Sequence, residues 1–281
     1  MSKDEHIFED DFTYVKQVID EENRDKPAAT RRQMIAGATA VVGGMGLLGA
    51  NPAMAQLSGK GYDGPNTAEN ILNIAATAEV LATIVNTVGP ERVNLDPTTR
   101  ENVRSAALEE KIHYEVLISD GVGAKPVTKR IWVPNEVFRS QEDLLTTLVV
   151  GDQIFINAYL LAVTVFARPN AATIQRSRFS RFAAEFMGAE AVHRALALQS
   201  LGRLGNDRVF MRFAGREETQ GLPTTGTAGF YDIRQAVTQL QGAGFGFGKE
   251  GSKAGQFYEY DEVSQRTPDP GFPRVNTRRP V

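Results

Sequence analysis

Four long stretches of this chain repeat apolar residues at helical spacing, and each carries an acidic residue near the middle of its apolar face. The first row is Leu72, Ala75, Ala76, Glu79, Ala82 and Thr83; the second is Val103, Ala106, Ala107, Glu110, His113, Tyr114 and Leu117. The third is Leu145, Leu148, Val149, Asp152, Phe155, Ile156 and Tyr159; the fourth is Ala183, Phe186, Met187, Glu190, His193, Leu196 and Ala197. An isolated buried carboxylate costs several kcal/mol, on the order of what would drive it to pick up a proton instead. Four buried carboxylates repel one another, so a fold that gathers them needs cations among them.

Two of the rows contain Glu-x-x-His: Glu110 with His113, and Glu190 with His193. Residues at i and i+3 lie one turn apart on the same helix face, so both side chains can reach one metal ion. The chain has three histidines, and two of them stand in this motif. Taken alone, Glu79 reads as a buried acid paired with an arginine, and either histidine as a hydrogen-bonded core residue. Their coincidence on four helices favours metal. Four carboxylates and two imidazoles suit two divalent ions. With no cysteine, thiolate ligands, disulfides and cysteine nucleophiles are excluded, and the remaining oxygen and imidazole ligands suit iron, manganese or zinc.

The helix ends follow from local signals. Asn66, with Glu69 as its capping-box partner, starts a helix that runs to about Val88 and stops at Gly89-Pro90. Asp96-Pro97 starts the second, which ends near Asp120-Gly121. Ser140 caps the third, with Glu142 and Asp143 in its first turn, and it runs to about Ala167 before Pro169. The fourth spans about Asn170 to Leu204, ahead of Gly205-Asn206. The connection over residues 121–140 can extend about 60 Å, enough to recross a helix of about 35 Å.

Other side chains on these helices read as packing or solvation. Tyr114 and Tyr159 lie on the site-bearing faces and are expected to pack. Glu109, Glu115 and Glu185 are expected to be solvated helix charges. Arg194 either pairs with a ligand carboxylate or faces solvent. Gln153 turns about 100° away from Asp152 around the helix.

At these residues the chain resembles the ferritin-like superfamily of di-iron carboxylate proteins. The family pattern places one Glu on each of two helices and Glu-x-x-His on each of the other two. The resemblance implies an all-α ferritin-like four-helix bundle over residues 66–205, with a long crossover between helices 2 and 3. It implies a metal site of Glu79, Glu110, His113, Asp152, Glu190 and His193, holding two divalent ions, iron first and manganese as the alternative. Asp152 departs from the family pattern, where the residue is Glu, and is one methylene shorter. The segments Ile71-Leu72-Asn73 through Ala78-Glu79 and Gly151-Asp152 through Ala158-Tyr159 are most similar to the bacterial ferritin-like group that includes desiccation-related proteins. Such sites oxidise ferrous ion with oxygen or peroxide. The desiccation-related resemblance implies the alternative, a non-enzymatic stress protein with structural metal or none. A di-manganese catalase-like enzyme is a third, weaker similarity.

Ahead of the helices, Arg31-Arg32, a mild Gly- and Ala-rich apolar run to about Ala50, and Ala53-Met54-Ala55 read as a twin-arginine export signal. Cleavage after Ala55 would leave Gln56 as the new terminus and give a periplasmic protein. The run is too weakly apolar for a spanning helix, so no membrane span is expected after cleavage. Residues 1–30 are acidic where such regions are usually basic, and residues 8–22 could form a short helix. Residues 56–281 carry 25 acidic and 25 basic side chains, so no basic surface calls for nucleic acid. Expected partners are metal ions, oxygen or peroxide, the export machinery and further copies of the chain.

Residues 206–281 read as an irregular Gly/Pro-rich extension. Residues 214–230 are expected as loop, and Asp232 as the cap of a short helix to about Gln241. Gly242-Ala243-Gly244-Phe245-Gly246-Phe247-Gly248 is expected as a flexible segment whose phenylalanines dock on the helices. Residues 257–281 are expected as an extended tail.

Overall fold

A computed structural model describes residues 66–167, 174–206 and 232–269. The expected export signal, residues 56–65, the loop expected at 214–230 and the part of the expected tail beyond 269 lie outside the described residues. The fold is mostly helical, with one three-stranded antiparallel sheet.

The four long helices are α1 (Ala68–Arg92), α2 (Pro97–Ile118), α3 (Gln141–Phe166) and α4 (Ile174–Ser200). α1 packs chiefly against α2 and α3 chiefly against α4; α1–α3 and α2–α4 contacts join the two pairs. Two of the starts match the local chemistry read from the sequence. The Asp96 carboxylate accepts from Thr98 N and Thr99 N with Pro97 in the first turn, and Ser140 Oγ accepts from Asp143 N.

The start and end of α1 differ from the sequence expectation. Thr67 is the cap, accepting from Asn70 N, and the Asn66 side chain instead accepts from Ile233 N. At the other end the helix runs through Gly89-Pro90 to Arg92. Gly89 does not act as a left-handed stop. A Cβ at that position would lie 2.8 Å from a Leu144 methyl, so glycine there lets α3 approach closely. Proline is tolerated so near the helix end, where the ladder closes one turn later through Val93 N to Gly89 O at 2.8 Å.

Regular structure also appears where irregular chain was expected. In the long connection Arg130–Pro134 forms β1, followed by a 3-10 turn at Asn135–Phe138. The short helix expected from Asp232 to about Gln241 is α5 (Arg234–Gly242), with Arg234 N donating to Asp232 Oδ1. After it, where irregular chain was expected, come β2 (Gly246–Phe247), β3 (Gly255–Glu259) and the short α6 (Tyr260–Val263). β1 is the central strand. It pairs Ile131 with Phe247 on one side and Ile131 with Tyr258 on the other. Ile131 and Val133 are buried while Trp132 is only half-buried, the alternation of a strand with one face on the core. The alternating glycines make the β2 turn possible. A Cβ on Gly251 would collide with the Gly244 carbonyl, and one on Gly246 with the Lys249 carbonyl. Phe245 and Phe247 thus reach the core from an ordered strand and turn.

One apolar core runs through these parts. Ile71, Val80 and Ile84 of α1 meet Leu144, Leu145 and Phe155 of α3, and Ile233, Val237, Leu240, Phe247 and Val263 extend the same core. α1 and α3 are each long and apolar enough to cross a membrane, but 83% of the most apolar window of α1 is buried in this core.

Candidate metal centre

All six residues singled out in the sequence are buried, and the four helices bring them inward together. Glu79 comes from α1, Glu110 and His113 from α2, Asp152 from α3, Glu190 and His193 from α4. Glu79, Glu110 and Glu190 are 0% exposed. One ligand atom from each of Glu79, Glu110, His113 and Glu190 falls within 4.8 Å of all the others.

The two histidines flank the central carboxylates. His113 Nδ1 lies 3.4 Å from Glu110 Oε2, 3.6 Å from Glu79 Oε2 and 3.8 Å from Glu190 Oε1. His193 Nδ1 lies 3.2 Å from Glu110 Oε1 and 3.6 Å from Glu190 Oε2. Glu110 and Glu190 therefore stand between the imidazoles, one oxygen of each toward His113 and the other toward His193. Asp152 stands outside the tight group of four, close enough for the charges of His193, Glu110 and Glu79 to act on it.

Burial pushes the Glu79 carboxyl up to about 7, helped by the Glu110 charge. Burial likewise holds Asp152 and Glu190 well above the usual carboxylate range. Glu110 goes the other way: burial opposes its charge, but the His193 and His113 imidazoles overcome it and hold the carboxyl far below normal. For His113 burial disfavours the proton, yet Glu79 and Glu110 push its pKa up to about 11. His193 is raised in the same way against burial, chiefly by Glu110 and then by Glu109.

Protonation leaves the cluster poorly satisfied. Glu79 Oε2, both oxygens of Glu110 and of Glu190, Asp152 Oδ2 and the Nδ1 atoms of His113 and His193 are buried without a hydrogen-bond partner. Buried polar atoms nearly always find a partner. So many orphaned ligand-type atoms in one interior place fit a bound cation, which would take lone pairs from all of them. Their chemistry, oxygen and imidazole only, suits iron, manganese or zinc.

Two side chains support the ligand set, and the sequence reading assigned neither of them that part. Glu109, expected to be a solvated charge, has its Oε2 2.5 Å from His193 Nε2. Its neighbour Glu110 points inward, and a 100° step around α2 aims Glu109 at α4. The doubled Glu109-Glu110 was visible in the sequence, but the helix beside that face was not. Tyr159, expected to pack, donates its hydroxyl to Glu79 Oε1. Its place on the face of Asp152 was the available signal. Arg194 is buried, and its charge acts on Asp152, which settles the open choice against solvent. His113 stacks on Phe186 with centroids 4.0 Å apart and planes at 27°, which fixes the ring.

No family model matches the chain, and no curated protein or solved structure matches it.

Proposed function

We propose that this chain is an exported ferritin-like four-helix-bundle protein whose interior centre binds two divalent metal ions, iron by preference, and oxidises ferrous ion with oxygen or peroxide. The observation that carries this reading is the placement of Glu110 and Glu190 between His113 and His193, with both oxygens of each carboxylate and the Nδ1 of each ring lacking a hydrogen-bond partner. Glu79 and His113 would hold one ion, Asp152 and His193 the other, and Glu110 and Glu190 would be shared. A pair of ferrous ions held there would supply two electrons to oxygen or peroxide.

The chain's own residues prepare that chemistry. Glu109 accepts from His193 Nε2, so that Nδ1 would be bare toward the carboxylates once its own proton was displaced by a metal. Tyr159 keeps its proton, because burial and the Glu79 charge raise its pKa, and it holds Glu79 in one orientation. Phe186 and Tyr159 pack edge to face at 5.6 Å, with His113 stacked on Phe186. The proposed export is supported by Arg31-Arg32 and Ala53-Met54-Ala55. A twin-arginine route carries folded proteins, which suits a chain that acquires metal before it leaves the cytoplasm.

A second reading rests on the complete burial of Glu79, Glu110 and Glu190. A closed site of that kind suits a structural metal in a non-enzymatic stress protein. Anaerobic loading with ferrous ion, followed by exposure to oxygen or peroxide, separates the two. The oxidase reading expects ferric absorbance with repeated turnover as ferrous ion is replenished. Retained metal without oxidation would leave the structural reading.

A further inference from the structure

Between α1, α3 and the C-terminal end of α5 lies a cavity of about 180 Å³. Its walls are mostly apolar, with Leu81, Val85, Leu148, Phe155, Leu240 and Phe245, and Asn86, Thr146 and Thr147 also reach it. Asp152 also lines it, 5% exposed, with Oδ2 lacking a hydrogen-bond partner. The half-exposed Glu136–Lys253 ion pair stands at the rim. A smaller cavity of about 20 Å³ shares Asn86, Leu148 and Asp152 with it and has His193 in its wall. Asp152 thus stands between the cavity and the group of four buried ligand-type residues.

Gly151 stands in the wall of this cavity. It lies within α3, where glycine costs about 1 kcal/mol relative to alanine. Unlike Gly89, it makes no close approach to another helix, since a Cβ there would meet nothing within 4 Å. It lines the cavity, so a larger residue would fill the opening.

We propose that this cavity is a binding site for a small, largely apolar organic molecule, one aromatic ring in size, with a single polar group directed at Asp152. An apolar cavity of about 150 Å³ takes up benzene in preference to water. The present cavity is slightly larger, opens at the Glu136–Lys253 rim and adds the unpartnered Asp152 Oδ2 as an acceptor, so it fits a ring with one hydroxyl or amine. Binding to the metal-free protein depends on the cavity and Asp152; a role for the molecule as substrate of the metal centre rests on the function proposed above.

The test uses 4-fluorobenzyl alcohol, followed by fluorine NMR, with the full-length protein in metal-free and metal-loaded forms and with metal content measured alongside. Wild type is expected to bind one molecule saturably. Gly151→Leu should weaken binding at least tenfold. Gly188→Leu, a glycine of α4 with equally open surroundings and outside the cavity lining, should bind as wild type does. Ala243→Leu obstructs the cavity from a different wall and serves if Gly151→Leu does not fold. No saturable binding to wild type, or equal binding to the obstructed variants, overturns the proposal. Probe binding by a protein that takes up no metal would keep the cavity and remove the metal reading. Metal uptake without probe binding would do the reverse.

Discussion

Glu109 Oε2 lies 2.5 Å from His193 Nε2, while the Nδ1 of the same ring faces Glu110 at 3.2 Å. One carboxylate therefore fixes the ring from outside while another shares its inner nitrogen. Partners of this kind set the tautomer and basicity of a metal-binding histidine, and losing one weakens affinity about 10- to 100-fold. Glu109→Ala is expected to lower metal affinity by that factor without loss of helicity. The Glu109 side chain is 40% exposed but pairs with buried His193, so the metal-free variant should stay folded with a melting temperature lowered by the loss of one hydrogen bond. Metal titration and circular dichroism of the same samples check both; unchanged affinity would mean that Glu109 is only a surface charge.

Glu190→Gln separates metal binding from folding. Burial holds the Glu190 carboxyl well above the usual range, so in the metal-free protein a neutral amide resembles its protonated form. Stability at pH 7 should not fall, and at pH 9 the variant should be the more stable of the two. Metal affinity should drop at least about tenfold, since a central ligand is lost. Thermal melts at both pH values, with and without metal, would expose the opposite pattern.

The metal-free protein should lose stability as pH rises. Glu79 is raised from 4.5 to about 7, and His113 from 6.5 to about 11. Raised groups bind more protons in the folded state, so their stabilisation is complete below the unfolded values. It fades between pH 4.5 and 7 for Glu79 and between 6.5 and 11 for His113. Glu110 is lowered and has the opposite effect, felt only on the acid side of 4.5. Metal must displace the histidine protons, so affinity should climb over the range in which metal-free stability falls. Melting curves and metal titrations between pH 5 and 9 measure both slopes; parallel slopes would contradict the shared-proton account.

Tyr159→Phe removes the donor to Glu79 Oε1 and leaves the ring packed on Phe186. A hydrogen bond to a buried acid is worth about 1–3 kcal/mol. Urea denaturation of the metal-free variant should show a loss in that range, with metal stoichiometry unchanged. A loss of metal would place the hydroxyl among the ligands instead.

Much of the centre was legible because its signals are local. Glu-x-x-His on an apolar helix face survives as a pattern in any fold that keeps the helix, and all six marked residues are interior. The starts of α2 and α3 were equally plain, since Asp96-Pro97 and Ser140 act within one turn. Non-local features were not legible. β1 pairs with partners more than 110 residues away, and β2 is only two residues long, too short for any period. Gly89 was read as a stop because the approach of Leu144 is a tertiary fact. Glu109 was misread for the same reason: its role depends on α4 lying against that face of α2.

The central claim is that the interior carboxylates and histidines hold two metal ions. Elemental mass spectrometry of the full-length protein, purified from its native compartment and again after anaerobic ferrous loading, tests it most directly. Two iron or manganese ions per chain are expected in wild type, and none retained by a His113→Ala, His193→Ala double variant. About one ion per chain would mark Asp152 as too short to complete the second position. No metal after loading, in a protein that is folded, would contradict the claim.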